Sequence, residues 1–232
     1  MNTLGEGDMV VRRLKRQDGR RVDRGVCSEA QLCASNEQER TKVVDTPPPN
    51  ARDRIMATAY ELFTRRGIRD VGVDEVIERA GVAKATLYRH FPSKDELVLA
   101  FLDEREAQWT NEIVERRSRE RAAEPEGQIL AIFDVFDEWF HNYGDYEACS
   151  FIKVLFEMGT EGPIGQACIR HLDNIRQIVC ERAQLAGLKN PKEFSYDFNI
   201  LMKGSIVSAA EGDLRAARRA KTMGVWLIEH YR

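Results

Sequence analysis

The sequence lacks an apolar run long enough to cross a bilayer, and its first thirty residues lack the apolar segment of a secretory signal. These absences predict a cytoplasmic protein with no membrane contact. Its five cysteines are an odd set without a close Cys-x-x-Cys pair, which argues against a disulfide framework and a zinc knuckle. Ordinary reduced thiols are the simpler interpretation of these cysteines, and redox sensing is the alternative.

Recognisable catalytic motifs are also missing. The sequence contains no Gly-x-Ser-x-Gly, no His-Glu-x-x-His and no phosphate-binding loop. His141, His171 and Cys168 have side chains of metal-ligating type, but nothing in their spacing requires a metal, and structural histidines are the simpler interpretation. We therefore expect no enzymatic activity, no cofactor and no metal site.

No segment alternates apolar and polar residues for long enough to predict a strand, whereas helical periodicity recurs from Asn50 onwards. The sequence therefore predicts an all-α protein. Three short helices are expected at Asn50–Arg66, Val73–Ala80 and Lys84–Phe91. Because Gly81 supplies a tight turn between the last two, they have the spacing of a helix-turn-helix at about residues 73–92.

The chemistry of the third helix follows from this geometry. Its helical spacing lets Leu87 pack inward with the apolar residues of the second helix. Lysine and arginine donate to guanine or phosphate, threonine offers a hydroxyl or a methyl group, and tyrosine donates to a phosphate oxygen. From Ala51 to Lys94 there are nine Lys or Arg against six Asp or Glu, although the whole chain carries −3. Four side chains are left for a DNA groove: Lys84, Thr86, Tyr88 and Arg89.

The stretch RDRIMATAYELFTRRGIRDVGVDEVIERAGVAKATLYRHFPSKDELVLAF resembles the DNA-binding domain of the TetR (tetracycline repressor) family. The AGVAKATLYRHFPSKDEL core carries most of this resemblance. It implies base contacts from Lys84, Ala85 and Thr86, phosphate contacts from Tyr88 and Lys94, and neighbouring places of variable role for Arg89 and His90. The sequence departs from the family at Gly72 and Ala83, where hydroxyl side chains are usual, so side-chain phosphate contacts are not expected there.

The resemblance implies that a helical effector-binding and dimerisation domain follows the DNA-binding domain. We accordingly divide the chain into an extension at 1–49, a DNA-binding domain at 50–96 and this second domain at 97–232. An unknown small-molecule effector would bind among the middle helices, whose aromatic stripes are typical of a packed core as well as of a pocket. The candidate effector contacts are Trp109, Phe133, Phe136, Phe140 and Phe151.

Dimerisation is expected because a palindromic operator presents two half-sites about 34 Å apart, so that a monomer would read only one of them. The resemblance implies a homodimer that pairs through the last two helices, at about 192–211 and 213–230. Leu201, Met202, Ile206 and Trp226 are candidates for the apolar contact, with small residues from Gly204 to Ala209 allowing close approach. The same residues are equally consistent with packing inside their own chain.

Residues 1–49 contain no Phe, Tyr or Trp and only three Leu, so they predict a disordered extension. Its basic cluster from Arg12 to Arg24 is interpreted as a solvated tail, with a flexible DNA-contacting arm or a misassigned start codon as alternatives.

The function predicted from the sequence is that of a repressor released from double-stranded DNA by its effector. The alternatives are an activator or architectural member of the same fold, or a helical adaptor with a vestigial helix-turn-helix.

Overall fold

The structure, a computed structural model, describes residues 50–142 and 148–232. The predicted extension and Tyr143, which the sequence pattern places in an aromatic stripe, lie outside this range. The first three helices are α1 (Ala51–Arg66), α2 (Val73–Ala80) and α3 (Lys84–His90). Asn50 caps α1 by accepting a hydrogen bond from the Asp53 N–H at 3.0 Å, and Gly67 ends it with φ +86°.

A long continuous helical stretch follows. It comprises α4 (Lys94–Arg105), a π-helical segment (Glu106–Arg116) and α5 (Arg117–Glu120). Ser93 caps α4 by accepting a hydrogen bond from the Glu96 N–H at 3.1 Å, and the Ser-x-x-Glu spacing of these two residues is that of a capping box. The sequence also predicts that this helix continues past Trp109, but its period does not reveal the π-helical turns.

The remaining helices are α6 (Pro125–Asn142), α7 (Ser150–Met158), α8 (Pro163–Leu185), α9 (Pro191–Ala210) and α10 (Ala216–Tyr231). The last helix begins later than the predicted segment 213–230. Gly212 takes a positive φ of +104°, and the Asp213 carboxylate accepts from the Arg215 N–H at 3.0 Å. These features hold the chain in a turn before the helix begins.

The helices pack around a continuous core. α4 lies against α1 on one side and α8 on the other, while α6, α8, α9 and α10 pack together in the second half. The described residues form helices and connecting turns without a strand, so the all-α prediction is confirmed. None of the described helices combines the length and the hydropathy that a membrane crossing requires.

Candidate nucleic-acid interface

The turn between α2 and α3 determines which side of α3 is buried and which side faces solvent. Gly81 adopts the left-handed conformation (φ +62°), and its N–H donates to the Glu78 carbonyl at 3.1 Å. Leu87 and Phe91 are then buried against Val76 and the rest of the three-helix core. Because the inner side of α3 is anchored in this way, its opposite side faces solvent.

The structure places six of the seven residues predicted to bind DNA on α3. Lys84, Ala85, Tyr88 and Arg89 are exposed, and Thr86 and His90 are half-buried. Tyr88 keeps 40% of its surface exposed although it belongs to a large aromatic type that usually packs inward. The caps agree with the sequence: neither Gly72 nor Ala83 makes a side-chain capping bond.

Lys94 lies apart from the other six residues. Lys94 is half-buried, and its ammonium group donates to the Ile68 carbonyl at 2.6 Å, in the loop between α1 and α2. A lysine ammonium has three donors, so this bond leaves capacity for a phosphate oxygen. Its predicted phosphate contact stays a prediction.

Ion pairs within the three-helix unit occupy several of its cations. Arg66 pairs with Glu75 at 2.6 Å, and Arg79 with Glu61 at 3.1 Å. Lys84 reaches Asp74 at 3.3 Å, with side-chain exposures of 65% and 85%, so a DNA groove can compete for it at little cost.

Arg52 is a candidate contact that the sequence analysis missed. Its guanidinium lies 5.5 Å from the centroid of the Phe91 ring, at the C-terminal end of α3. Arg52 is exposed, and within the described ranges 50–142 and 148–232 it makes no ion pair with a carboxylate. The sequence places Arg52 in the first turn of α1, but it does not show that this turn lies beside the end of α3.

The aromatic candidates for effector contacts are all buried. Trp109, Phe133, Phe136 and Phe140 belong to one cluster with Trp139, in which the rings of Trp109 and Trp139 are 4.1 Å apart between centroids. The ring of Phe151 instead stacks on that of His171, with 5.0 Å between the two centroids. Four of the five candidates therefore belong to one cluster of aromatic rings, and the role of all five toward an effector stays a prediction.

His141 and His171 contact groups of the protein itself. His171 contacts Glu106 through Nδ1, and burial lowers its pKa. His141 Nδ1 lies 2.7 Å from the Asp137 carbonyl. In the part of the chain that the structure describes, no three His, Cys, Asp or Glu side chains group as metal ligands.

Three of the five cysteines fall within the described residues, and all three are buried and free. Burial raises the pKa of the Cys149 thiol, and it raises that of Cys168 to about 12. At neutral pH both therefore remain protonated, the less reactive state of a thiol. Cys27 and Cys33 lie outside the described residues.

An apolar face runs along α9 and α10 on the outside of the protein. Ile200 is 68% exposed, Val207 50%, Met223 47% and Trp226 63%. A groove of about 350 Å³ lies between the two helices. It is lined by Asp197, Ile200, Leu201, Met223, Trp226, Leu227 and His230.

This face corrects part of the residue assignment made from sequence. Met202 and Ile206 are buried in the core of their own chain, so they do not supply exposed apolar area. Trp226 does, and Leu201 is half-buried at the groove. Both sides of α9 are apolar, so helical periodicity alone did not distinguish the inner side from the outer one.

Comparison with known proteins agrees with the helix-turn-helix geometry of α2 and α3. Residues 55–101 match the family model described as bacterial regulatory proteins, tetR family. Over 56 residues the chain is 46% identical to the HTH-type transcriptional activator FasR of Mycolicibacterium smegmatis, covering 24% of this chain and 26% of FasR. Over 56 residues it is 36% identical to the HTH-type transcriptional repressor KstR2 of the same species, covering 23% and 27%. The chain thus spans about a quarter of each relative's length.

The fold extends the comparison beyond this domain. A crystal structure of a TetR-family transcriptional regulator from Streptomyces coelicolor superposes with a TM-score of 0.71 and 24% sequence identity. The superposition covers 78% of this chain and 95% of that one. An exposed third helix on an all-helical scaffold defines a protein of the helix-turn-helix class. Within that class, residues 55–101 are similar to the N-terminal domain of the tetR family, so the resemblance found in the sequence is confirmed for this segment.

Proposed function

We propose that this protein is a homodimeric regulator of transcription that binds a palindromic operator through α3. The observation that carries the proposal is the orientation of α3, which buries Leu87 and Phe91 and exposes Lys84, Tyr88 and Arg89. An exposed basic helix of this kind presents its side chains to the major groove.

Selection of DNA by the purified full chain tests this function. Duplexes that the protein retains from a random-sequence library are expected to contain an inverted repeat, with half-site centres about 34 Å apart. Enrichment of no common sequence would contradict the proposal, and it would favour an adaptor whose helix-turn-helix does not bind DNA.

Repression is the action that we propose. A dimer represses by occupying its operator, so the DNA-binding and dimer faces are sufficient for it, whereas activation requires a further contact with the transcription machinery. One relative is named an activator and another a repressor, so the direction needs its own experiment. Deleting the gene is expected to raise expression of a reporter placed behind the selected operator. A fall in expression would indicate an activator.

The effector is proposed to bind near the aromatic cluster around Trp109. The neighbouring Thr110 has a buried hydroxyl without a hydrogen-bond partner in the described part of the chain. An apolar ligand with one polar group would satisfy this hydroxyl, which suits a compound of mixed character. Binding would favour a state in which the two α3 helices are wrongly spaced. A compound that stabilises the protein in a thermal-shift screen is expected also to weaken its binding to the selected duplex.

Dimerisation is proposed to bury the apolar face of α9 and α10. Replacing Trp226 with glutamate would place a charge at the centre of this face, and desolvating it is unfavourable. We expect the variant to be a monomer in light scattering and to bind the selected duplex at least about tenfold more weakly, since one half-site is then read alone. Phe156→Glu, at an exposed position on α7, is the matched control and should remain dimeric. A dimeric Trp226→Glu protein would refute this interface.

Arg52 is proposed to contact a phosphate beside the end of α3. The Arg52→Gln variant is expected to bind all duplexes more weakly and to show a shallower salt dependence. The slope of log affinity against log salt should fall by about 2 in the dimer, because each phosphate contact contributes about 0.9. Arg79→Gln removes the same charge from an arginine already paired with Glu61 and serves as the control. If the two variants show the same slope of log affinity against log salt, Arg52 does not contact a phosphate and only packs against Phe91.

A further inference from the structure

The loop between α1 and α2 is bound by a carboxylate from the second half of the chain. Glu157, in the last turn of α7, accepts hydrogen bonds from two consecutive backbone N–H groups of this loop. Its Oε2 lies 2.9 Å from the Ile68 nitrogen, and its Oε1 lies 2.5 Å from the Arg69 nitrogen. Both carboxylate oxygens are therefore used to hold one short segment of the DNA-binding unit.

Gly67 makes this approach possible. It has a φ of +86°, which residues with a side chain rarely adopt. A Cβ built on Gly67 would lie 2.9 Å from Glu157 Oε2, closer than such atoms are found. In the sequence Gly67 predicts only the end of α1, but in the structure it also admits the carboxylate.

Two lysines hold the same region from different helices. Lys153, one turn before Glu157 on α7, donates from Nζ to the Thr64 carbonyl at 2.8 Å, in the last turn of α1. Its positive charge lies where the dipole of α1 is negative. Lys94 of α4 donates to the Ile68 carbonyl. Residues 64–69 are thus bound by α7 and α4 together.

This loop is tied in turn to the helix-turn-helix. Arg66 pairs with Glu75 on α2 at 2.6 Å, and it also donates to the Asp70 carbonyl at 2.7 Å. Polar contacts therefore form a continuous path from α7 through this loop to α2. In a dimer, the separation of the two α3 helices depends on how each helix-turn-helix is oriented on its own second half.

We propose that Glu157 and Lys153 are positioning residues for operator binding, which they support by fixing the orientation of the helix-turn-helix on α7. This inference rests on the proposed function, because it concerns the spacing of two DNA-bound helices. Neither residue has to touch DNA. Their substitution should alter the preference for the distance between half-sites, whereas the affinity for one half-site should be retained.

The test uses Glu157→Gln, which keeps the shape of the side chain but removes its charge and one acceptor oxygen. The probes are the duplex selected by the wild-type chain, the same duplex with one base pair inserted or removed between half-sites, and a duplex with one half-site scrambled. We expect about tenfold weaker binding to the selected duplex, similar affinity for all spacings, and unchanged binding to the scrambled duplex. Fluorescence anisotropy at constant salt gives each affinity.

Glu161→Gln is the matched control. Glu161 is exposed in the turn after α7, and its substitution changes the net charge equally, so any general electrostatic gain in DNA affinity appears in both variants. Lys153→Gln, which removes the contact with Thr64, is expected to show the same loss of spacing preference to a smaller extent. If Glu157→Gln does not fold, Lys153→Gln tests the same spacing preference.

A wild-type spacing preference in both variants would overturn the inference, whatever happens to their melting temperatures. Equal weakening on the selected and scrambled duplexes would also overturn it, because that result indicates damage to the helix-turn-helix itself. If the wild-type chain selects no duplex at all, the proposed function fails instead, so the two failures are distinguishable.

Discussion

Replacing Lys84 with alanine is expected to lower the affinity for the selected duplex by about 30-fold or more while the protein stays fully folded. A specific base contact contributes about 1–3 kcal/mol, and the dimer would lose one in each half-site. The first turn of a helix accepts alanine readily. The ion pair with Asp74 is exposed on both sides, so its loss costs little stability.

Arg79→Ala is the control for this prediction. It removes the same charge from the same three-helix unit, and Arg79 is likewise in an exposed ion pair, with Glu61. Anisotropy titrations at one salt concentration should separate the two variants, since salt strongly affects every protein–DNA affinity. A Lys84→Ala protein that binds as tightly as Arg79→Ala would exclude Lys84 from the interface.

Replacing Arg182 with methionine is expected to lower the free energy of unfolding by about 3 kcal/mol, because it removes the buried donor of four hydrogen bonds and leaves their acceptors unpaired on that side. Arg182 is only 2% exposed. It donates to the Ser118 hydroxyl at 2.7 Å, to the Gln128 carbonyl at 3.1 Å, and to both the carbonyl and the carboxylate of Glu115, at 3.0 and 2.5 Å. These bonds connect α8 to the π-helical segment, α5 and α6.

Arg119→Met is a closely matched control because Arg119 pairs with the same carboxylate, that of Glu115, from the surface. Its side chain is 65% exposed, so its loss should cost less than about 1 kcal/mol. Urea unfolding followed by circular dichroism measures both, at one fixed protein concentration because dimerisation contributes to stability. An equal loss of unfolding free energy in both variants would contradict the prediction, because it would mean that the buried contacts of Arg182 stabilise the protein no more than a surface ion pair does.

The predictions for Arg182 and Glu157 concern two different sets of contacts. Arg182 holds together the helices that surround the aromatic cluster, and Glu157 connects α7 to the α1–α2 loop. Loosening the first contact should lower the stability of the helical bundle, while loosening the second should weaken binding to the selected duplex and remove its preference for half-site spacing. Substituting the two residues therefore separates the stability of the bundle from the proposed effect on operator binding.

The sequence by itself determined the helix-turn-helix and the orientation of its third helix. These features depend on local signals: the Asn50 and Ser93 caps, the positive φ at Gly81 and the position of Leu87 within a short helix. Each acts over a few residues, so it can be read along the chain. Four of the seven side chains predicted to bind DNA follow from the same local geometry, whereas Ala85, His90 and Lys94 follow from the resemblance to the TetR family.

Only the tertiary structure decided which residues meet across the protein. α9 is apolar on two sides, so its periodicity identified apolar faces but not that Ile206 packs inward while Ile200 lies outside. The contact of Arg52 with Phe91 and that of Glu157 with the α1–α2 loop join residues distant in the chain. Such pairs depend on how whole helices pack, and no local propensity encodes them.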